Sequence, residues 1–280
     1  MQTLKQLLQA KLSRLHLHQR LKASWVYDLY WSIANKRLIE ARSREVDFYR
    51  HLLNGFKKGD LIFDVGANQG TKTDVFLRLG ARVIAVEPDE LNTNILREKF
   101  LTYRLSAKPV IIVSKAVSDK VAVETMWIDE PGSAKNTLSQ KWVDALRGDD
   151  GRFGHKLDFA QKKQIEATTL EQLIDDYGLP FFVKIDVEGF EPSVLRGLRR
   201  PVPYVSFEVN LPEFRPEGVQ CVQLLERLAV GGTFNYAADC QQGLVLEQWL
   251  HPQDFSRVLE QCAEKSIEVF WKAPISTGGR

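Results

Sequence analysis

Leu61-Ile62-Phe63-Asp64-Val65-Gly66-Ala67-Asn68-Gln69-Gly70-Thr71 decides the fold, because an apolar strand runs here into a glycine turn and then into a helical pattern over 72–79. Gly66 allows a sharp backbone turn against a ligand, and Gly70 allows close approach at the helix start, where amide groups are free to bind. A second apolar run, 82–86, closes on Glu87, 21 residues after Gly66. An acid near that separation in such a βαβ unit commonly accepts hydrogen bonds from both hydroxyls of a ribose.

The turn alone suits nicotinamide or flavin dinucleotides as well as S-adenosylmethionine. Asp64 discriminates, since a carboxylate two residues before the first glycine repels a pyrophosphate and attracts a sulfonium or an α-ammonium group. The spacing also reads G-x-x-x-G and not G-x-G-x-x-G. S-adenosylmethionine is the better fit. The alternative is that Asp64 caps the following helix and Glu87 meets solvent or a lysine.

Further apolar runs follow at 110–113, 181–185, 204–208 and 267–271, separated by helical patterns at 90–100, 170–177, 192–198 and 218–229. Strand alternating with helix predicts a mainly parallel sheet covered on both faces. Residues 121–128 read as an additional strand. The stretch 130–159 is polar, carries Gly132, Gly148, Gly151 and Gly154, and lacks sustained periodicity; its length makes it a candidate lid insertion. The chain divides into an N-terminal helical extension, 1–55, and a cofactor-binding domain, 56–275.

Hydrophobic residues make up 44% of the 280 and charged residues 26%, a balance that excludes a disordered or fibrous chain. A formal net charge of +2 is far from that of a dedicated nucleic-acid binder. Positive charge collects in 1–55, where ten Lys and Arg face four acids. This basic amphipathic leader, with Trp25, Tyr27, Tyr30 and Trp31, suggests packing on its own domain, or peripheral contact with a protein or an anionic membrane. Cys221, Cys240 and Cys262 are widely spaced and form no C-x-x-C pair. Free thiols, with no apolar leader and no apolar run of ~20 residues, predict a cytoplasmic protein.

A second acidic edge lies at Lys184-Ile185-Asp186-Val187-Glu188-Gly189-Phe190-Glu191, directly after a buried-looking strand. Parallel α/β sheets bind ligands at the carboxyl ends of their strands, so Asp64, Glu87, Asp186 and Glu188 should share one rim. Lys184, in an otherwise apolar run, is costly to bury unless a carboxylate pairs with it.

This acidic segment, continued by Val194-Leu195-Arg196-Gly197, resembles the signature of FkbM-type methyltransferases. Phe63 to Gly70, Val86-Glu87-Pro88, Ala116-Val117-Ser118-Asp119 and Thr169-Leu170-Glu171 extend the resemblance over roughly 60–210 in the family's order. It implies a class I methyltransferase (Rossmann-like) α/β fold with seven strands, the last pair antiparallel, and O-methylation of hydroxyls on polyketides, sugars or glycans. The expected cofactor set is Asp64 and Asp186 at the methionine end, Gly66, Asn68 and Gly70 around the turn, and Glu87 on the ribose. Ser118 is placed against the adenine by the resemblance alone.

Methyl transfer to oxygen is an in-line displacement that needs positioning and partial deprotonation. The candidate catalytic set is therefore Glu188 as the group that orients or deprotonates the acceptor hydroxyl, Asp186 second, and Lys184 beside them. A salt bridge from Glu188 to Lys184 or Arg196 is the competing role, and His155 is an alternative base. No metal site is expected. An NAD-dependent oxidoreductase and a non-catalytic docking module are the competing functions; the first lacks a Tyr-x-x-x-Lys pair, and Asp64 disfavours its pyrophosphate.

Overall fold

The rim on which a site could form is set by the strand order of one sheet. The computed structural model describes residues 36–105, 110–147 and 157–274. Helix α1 (Lys36–Leu52) leads into β1 (Leu61–Val65), α2 (Thr71–Leu79), β2 (Arg82–Val86), α3 (Glu90–Lys99), α4 (Leu101–Leu105) and β3 (Val110–Val113). Then come β4 (Ala116–Val117), β5 (Ala122–Ile128), α5 (Gln140–Arg147), β6 (Gln161–Thr168) and α6 (Leu170–Tyr177). The chain continues through β7 (Phe182–Ile185), α7 (Glu191–Arg196), β8 (Tyr204–Asn210), α8 (Arg215–Leu228), β9 (Thr233–Ala237), α9 (Pro252–Gln261) and β10 (Ser266–Lys272).

Seven strands form the main sheet in the order β3-β2-β1-β7-β8-β10-β9, parallel except for β10, which runs antiparallel to both of its neighbours. This is the expected class I methyltransferase architecture. The order reverses between β1 and β7, so the chain leaves a crevice at their carboxyl ends, where open α/β sheets take ligands.

Alternation along the strands divides the core in two. Leu61, Phe63 and Val65 of β1, with Val183, Ile185, Val205 and Phe207, pack under α6, α7, α8 and α9. Ile62, Phe182 and Phe270 face the other way, onto Tyr49 of α1 and Phe76 of α2. By the same period of two, Asp64, Lys184, Ser206, Glu208 and Glu268 lie on that second face, in neighbouring strands at the carboxyl edge. Polar residues thus replace apolar ones where the sheet meets its rim.

A three-stranded sheet, β4-β6-β5, stands beside this edge. Strand β6 escaped the sequence reading because its first four residues, Gln161 to Gln164, are all exposed and show no alternation. Strand β9 and helix α9 were also not anticipated. Within 130–159, helix α5 buries Trp142, Val143 and Leu146 against Leu157, Phe159 and Phe214, a small core that a polar, aperiodic stretch did not announce. Residues 1–35 and His155 lie outside the described residues, and so do the expectations placed on them. Among the described residues no helix is long and apolar enough to cross a membrane.

Candidate active site

A cleft opens at the reversal point, and the turn after β1 forms its floor. Gly66 has φ 80°, and a Cβ there would stand 1.7 Å from the Asp186 carbonyl oxygen. The glycine is therefore required by the next strand: the ends of β1 and β7 touch backbone to backbone, which brings the first and second acidic edges together. Gly70 caps α2 with φ 76°, under the rings and methyls of Phe100 and Leu96. It shapes the turn from behind and does not line the cleft.

Gly66, Asn68, Glu87, Asp186 and Glu188 all line the cleft, with Val86, Val117, Met126 and Leu138 as apolar wall. Glu87 accepts from the Asn68 amide through Oε2 and from the Asp89 amide through Oε1, both at 2.8 Å. Burial raises its pKa to about 7 against the pull of these amides. Asn92 Oδ1, on the same wall, is buried and has no hydrogen-bond partner.

Asp64 sits one layer below. It is fully buried and accepts from Thr73 Oγ1 at 2.5 Å, and its Oδ1 is unpaired. Burial raises its pKa, with Lys184 and Thr73 opposing. Lys184 is buried too and pairs with Asp186 Oδ2 at 2.8 Å. Burial pulls its pKa down, but the carboxylates of Asp186, Glu268 and Asp64 outweigh that and leave it raised. The expected pairing of this lysine is what the fold contains, and it acts from beneath the cleft. Ser118 is buried, donates its backbone amide to the Thr168 carbonyl and its hydroxyl to Asp119 Oδ1; its neighbours Lys115, Ala116 and Val117 line the cleft in its place.

Glu188 occupies the wall opposite Glu87. Its backbone has φ 53°, a left-handed conformation that costs a non-glycine residue roughly 1–3 kcal/mol, and its carbonyl accepts from Thr137 Oγ1 at 2.8 Å. Its side chain pairs with Lys135 through Oε1 at 3.3 Å, not with Lys184 or Arg196, and Oε2 is buried without a partner. Burial first, then the neighbouring Glu208, Asp186 and Glu191 carboxylates, hold its pKa well above the usual range, against Lys135. Burial pushes Asp186 upward, but the charge and hydrogen bond of Lys184 bring it below the ordinary value. A buried carboxyl with a raised pKa beside one that stays ionised is a pairing suited to moving a proton.

A profile of the Methyltransferase FkbM domain matches residues 64–237, more than half of the chain. The chain belongs to this family. No curated protein matches it in sequence. Among solved structures, methyltransferase FkbM from Methylobacillus flagellatus KT is 16% identical, with TM-score 0.49 over 79% of this chain and 46% of that one. The chain therefore spans about half the length of that relative. Precorrin-6y C5,15-methyltransferase from Geobacter metallireducens GS-15 is 11% identical, with TM-score 0.43 over 83% and 86% of the two chains. A TehB-like SAM-dependent methyltransferase from Corynebacterium glutamicum ATCC 13032 Kitasato is 9% identical, with TM-score 0.41 over 82% and 88%.

Methyltransferases of this fold use S-adenosylmethionine, and the FkbM-domain cleft has features that fit it. One end offers a buried carboxylate, the wall between is apolar, and Asn92 Oδ1 and Glu188 Oε2 are buried acceptors lacking donors. The sequence reading missed Asn92; it placed 133–138 inside the candidate lid without naming a residue there, and that segment supplies Ser133, Asn136 and Thr137 to the cleft, with Lys135 beside them on Glu188. No motif flags these residues; only the position of the small sheet brings them in. Glu191 was read as part of the signature without a role. Its Oε1 accepts from the Val187 and Gly189 amides, which folds the signature loop around one buried carboxyl whose pKa burial raises to about 8.

Proposed function

We propose that this FkbM-domain protein transfers a methyl group from S-adenosylmethionine to a hydroxyl of a small-molecule or glycan acceptor, of sugar or polyketide type. The observation that carries the reading is Glu188, a buried carboxylate with one oxygen unpaired in the wall of the cleft, next to the ionised Asp186. The cofactor supplies an electrophilic methyl carbon, so an alcohol needs only to be positioned and relieved of its proton. Asp186, Gly66, Asn68 and Glu87 would hold the cofactor, with Asp64 and Gly70 fixing the turn beneath. Glu188 accepts the hydroxyl proton, and Lys135 fixes the carboxylate's orientation. Lys184 keeps Asp186 charged and immobile.

Incubation with S-adenosylmethionine carrying a deuterated methyl group and a panel of glycosides and polyketide alcohols tests this by mass spectrometry. A labelled product whose methyl group survives alkali is an ether and supports the reading; label appearing only on nitrogen, carbon or a carboxyl ester sinks it. Glu188→Gln should lower turnover by ~10² to 10⁴ while S-adenosylhomocysteine binds nearly as well as before. Loss of binding and rate together would place Glu188 on the cofactor instead.

A further inference from the structure

Beyond the cleft, the same rim holds a second cavity over the ends of β8, β9 and β10, lined by Lys72, Asp186, Glu208, Asp239, Ser266 and Glu268 among others. Asp186 belongs to both hollows. It stands between Glu188, which faces the cleft, and Glu208, which faces the second cavity. One carboxylate oxygen from each of Asp186, Glu188 and Glu208 lies within 4.8 Å of the others.

We propose that Asp186, Glu188 and Glu208 bind one hard divalent cation where the two cavities meet. Two ligands of one ion cannot stand further apart than twice the metal–oxygen distance, which is about 4.2 Å for Mg²⁺ and about 4.6–5.2 Å for Ca²⁺. The three oxygens already fall within the Ca²⁺ span, and small side-chain rotations bring them within that of Mg²⁺. All three donors are carboxylates, the chemistry that hard cations select over zinc or copper.

An acidic cluster alone would not distinguish an ion site from a solvated patch. Glu188 does, because it is only 8% exposed and its Oε2 has no donor in reach. A carboxyl oxygen sealed from water without a partner is costly, and a cation coordinated to it removes that cost. The three nearby ammonium groups are engaged elsewhere: Lys184, which itself lines the second cavity, takes Asp186 Oδ2, Lys135 takes Glu188 Oε1, and Lys72 is held by Glu45 and Glu268. Glu208 bonds to Ser266 and Asn210 at its own end of β8, and its carboxyl donates a hydrogen bond to Asp186, so that a bound cation takes the place of the proton these two share. Both cavities leave coordination positions open to water or to a ligand oxygen. An alcohol entering from the second cavity would meet the ion beside Glu188, so that removal of its proton would not fall on that carboxylate alone.

The test is titration of Mn²⁺ into the full chain, followed by the electron paramagnetic resonance signal of free Mn²⁺, without cofactor or acceptor. We expect one bound ion per chain, displaced by excess Mg²⁺ or Ca²⁺. Glu208→Gln and Glu188→Gln should each weaken binding at least tenfold, and Asp254→Asn, on the remote helix α9, should leave it unchanged. Circular dichroism of each variant separates loss of the site from loss of the fold; if one variant unfolds, the other decides. No bound Mn²⁺ at millimolar concentration, or equal affinity in the folded Gln variants, overturns the inference. Binding of S-adenosylhomocysteine to the same samples tests the methyltransferase reading separately, so a chain that holds the nucleoside and no Mn²⁺ loses only the cation site.

Discussion

At the scale of single residues, Glu87 shows how a carboxylate can be legible by position and still carry a consequence that the sequence does not state. Its place after β2 follows from spacing; its burial between the Asn68 and Asp89 amides does not. With a folded pKa of about 7 against an ordinary ~4.3, the native state holds a proton that the unfolded chain has released. The stability associated with that proton is complete below about pH 4 and is lost as pH rises to about 7, an effect on the order of 3 kcal/mol. The groups facing this carboxyl are Asp89, whose charge raises the pKa, and the Asn92 side chain, which lowers it. Chemical denaturation across this window should therefore show a slope in the wild type that is absent from Glu87→Gln, the difference between the two isolating this group from other titrating acids. The same variant should bind S-adenosylhomocysteine ~10- to 150-fold more weakly, the equivalent of 1.5–3 kcal/mol for a hydrogen bond to a charged group. Unchanged affinity in titration calorimetry would remove Glu87 from the ribose. Gly66 teaches a related lesson. The sequence marked it as a turn glycine beside a ligand, whereas the structure gives it a neighbour 120 residues away in the chain, the Asp186 carbonyl, and no local pattern encodes such a contact.

Strands buried along most of their length were legible, and a strand half turned to solvent was not. Strands β1, β2 and β7 are buried end to end or nearly so and read as apolar runs, whereas β6 buries only Ile165, Ala167 and Thr168 and turns Lys162 and Lys163 to solvent. Helix α1 carries both kinds of signal. Its Val46 and Tyr49 enter the core, and its Glu45 pairs with Lys72 of α2, which also lies 3.7 Å from Glu268 of β10. Tyr49 donates to the other oxygen of Glu268 at 3.2 Å. Burial pulls the Lys72 pKa down, but Glu268, Cys240 and Glu45 raise it well past the ordinary value, so the ammonium stays charged at any working pH. Lys72→Met should leave two largely buried carboxylates facing each other, at a cost of ~3 kcal/mol, the low end for a broken buried pair because the lysine keeps about a quarter of its exposure. Adding Glu45→Gln should recover part of that loss. A single-variant effect below ~0.5 kcal/mol in urea denaturation would mean that water already solvates this junction and that α1 is held by its apolar face alone.

Across the whole molecule, the carboxyl rim is divided between a half built by β1, β2 and their turns and a half built by β7, β8, β9 and β10, with Asp186 at the division. The small sheet and the segment that follows it form a roof on the first half. Gly132 and Asn136 both donate to Asp89 Oδ2, at 3.2 and 3.1 Å, and Lys135 and Thr137 both bond to Glu188. The roof therefore grips the two walls of the cleft through polar contacts, while α5 anchors its far side in a separate apolar cluster. Such an arrangement can open without disturbing either core, because hydrogen bonds to a rim cost far less to break than a packed face. Lids that work in this way close on their ligands, and hydrogen exchange over 129–139 should slow when S-adenosylhomocysteine is added. Thr137→Val, which keeps the shape but removes both the bond to the Glu188 carbonyl and the acceptor of the Ser139 amide, should speed exchange in this segment in the free protein. It should also weaken nucleoside binding by at least ~2- to 12-fold, the worth of the ordinary hydrogen bond to Glu188 of ~0.5–1.5 kcal/mol. Slow exchange that is indifferent to both ligand and substitution would make the roof a fixed wall, and access to the cleft would then have to come from the side of the second cavity, past Asp186.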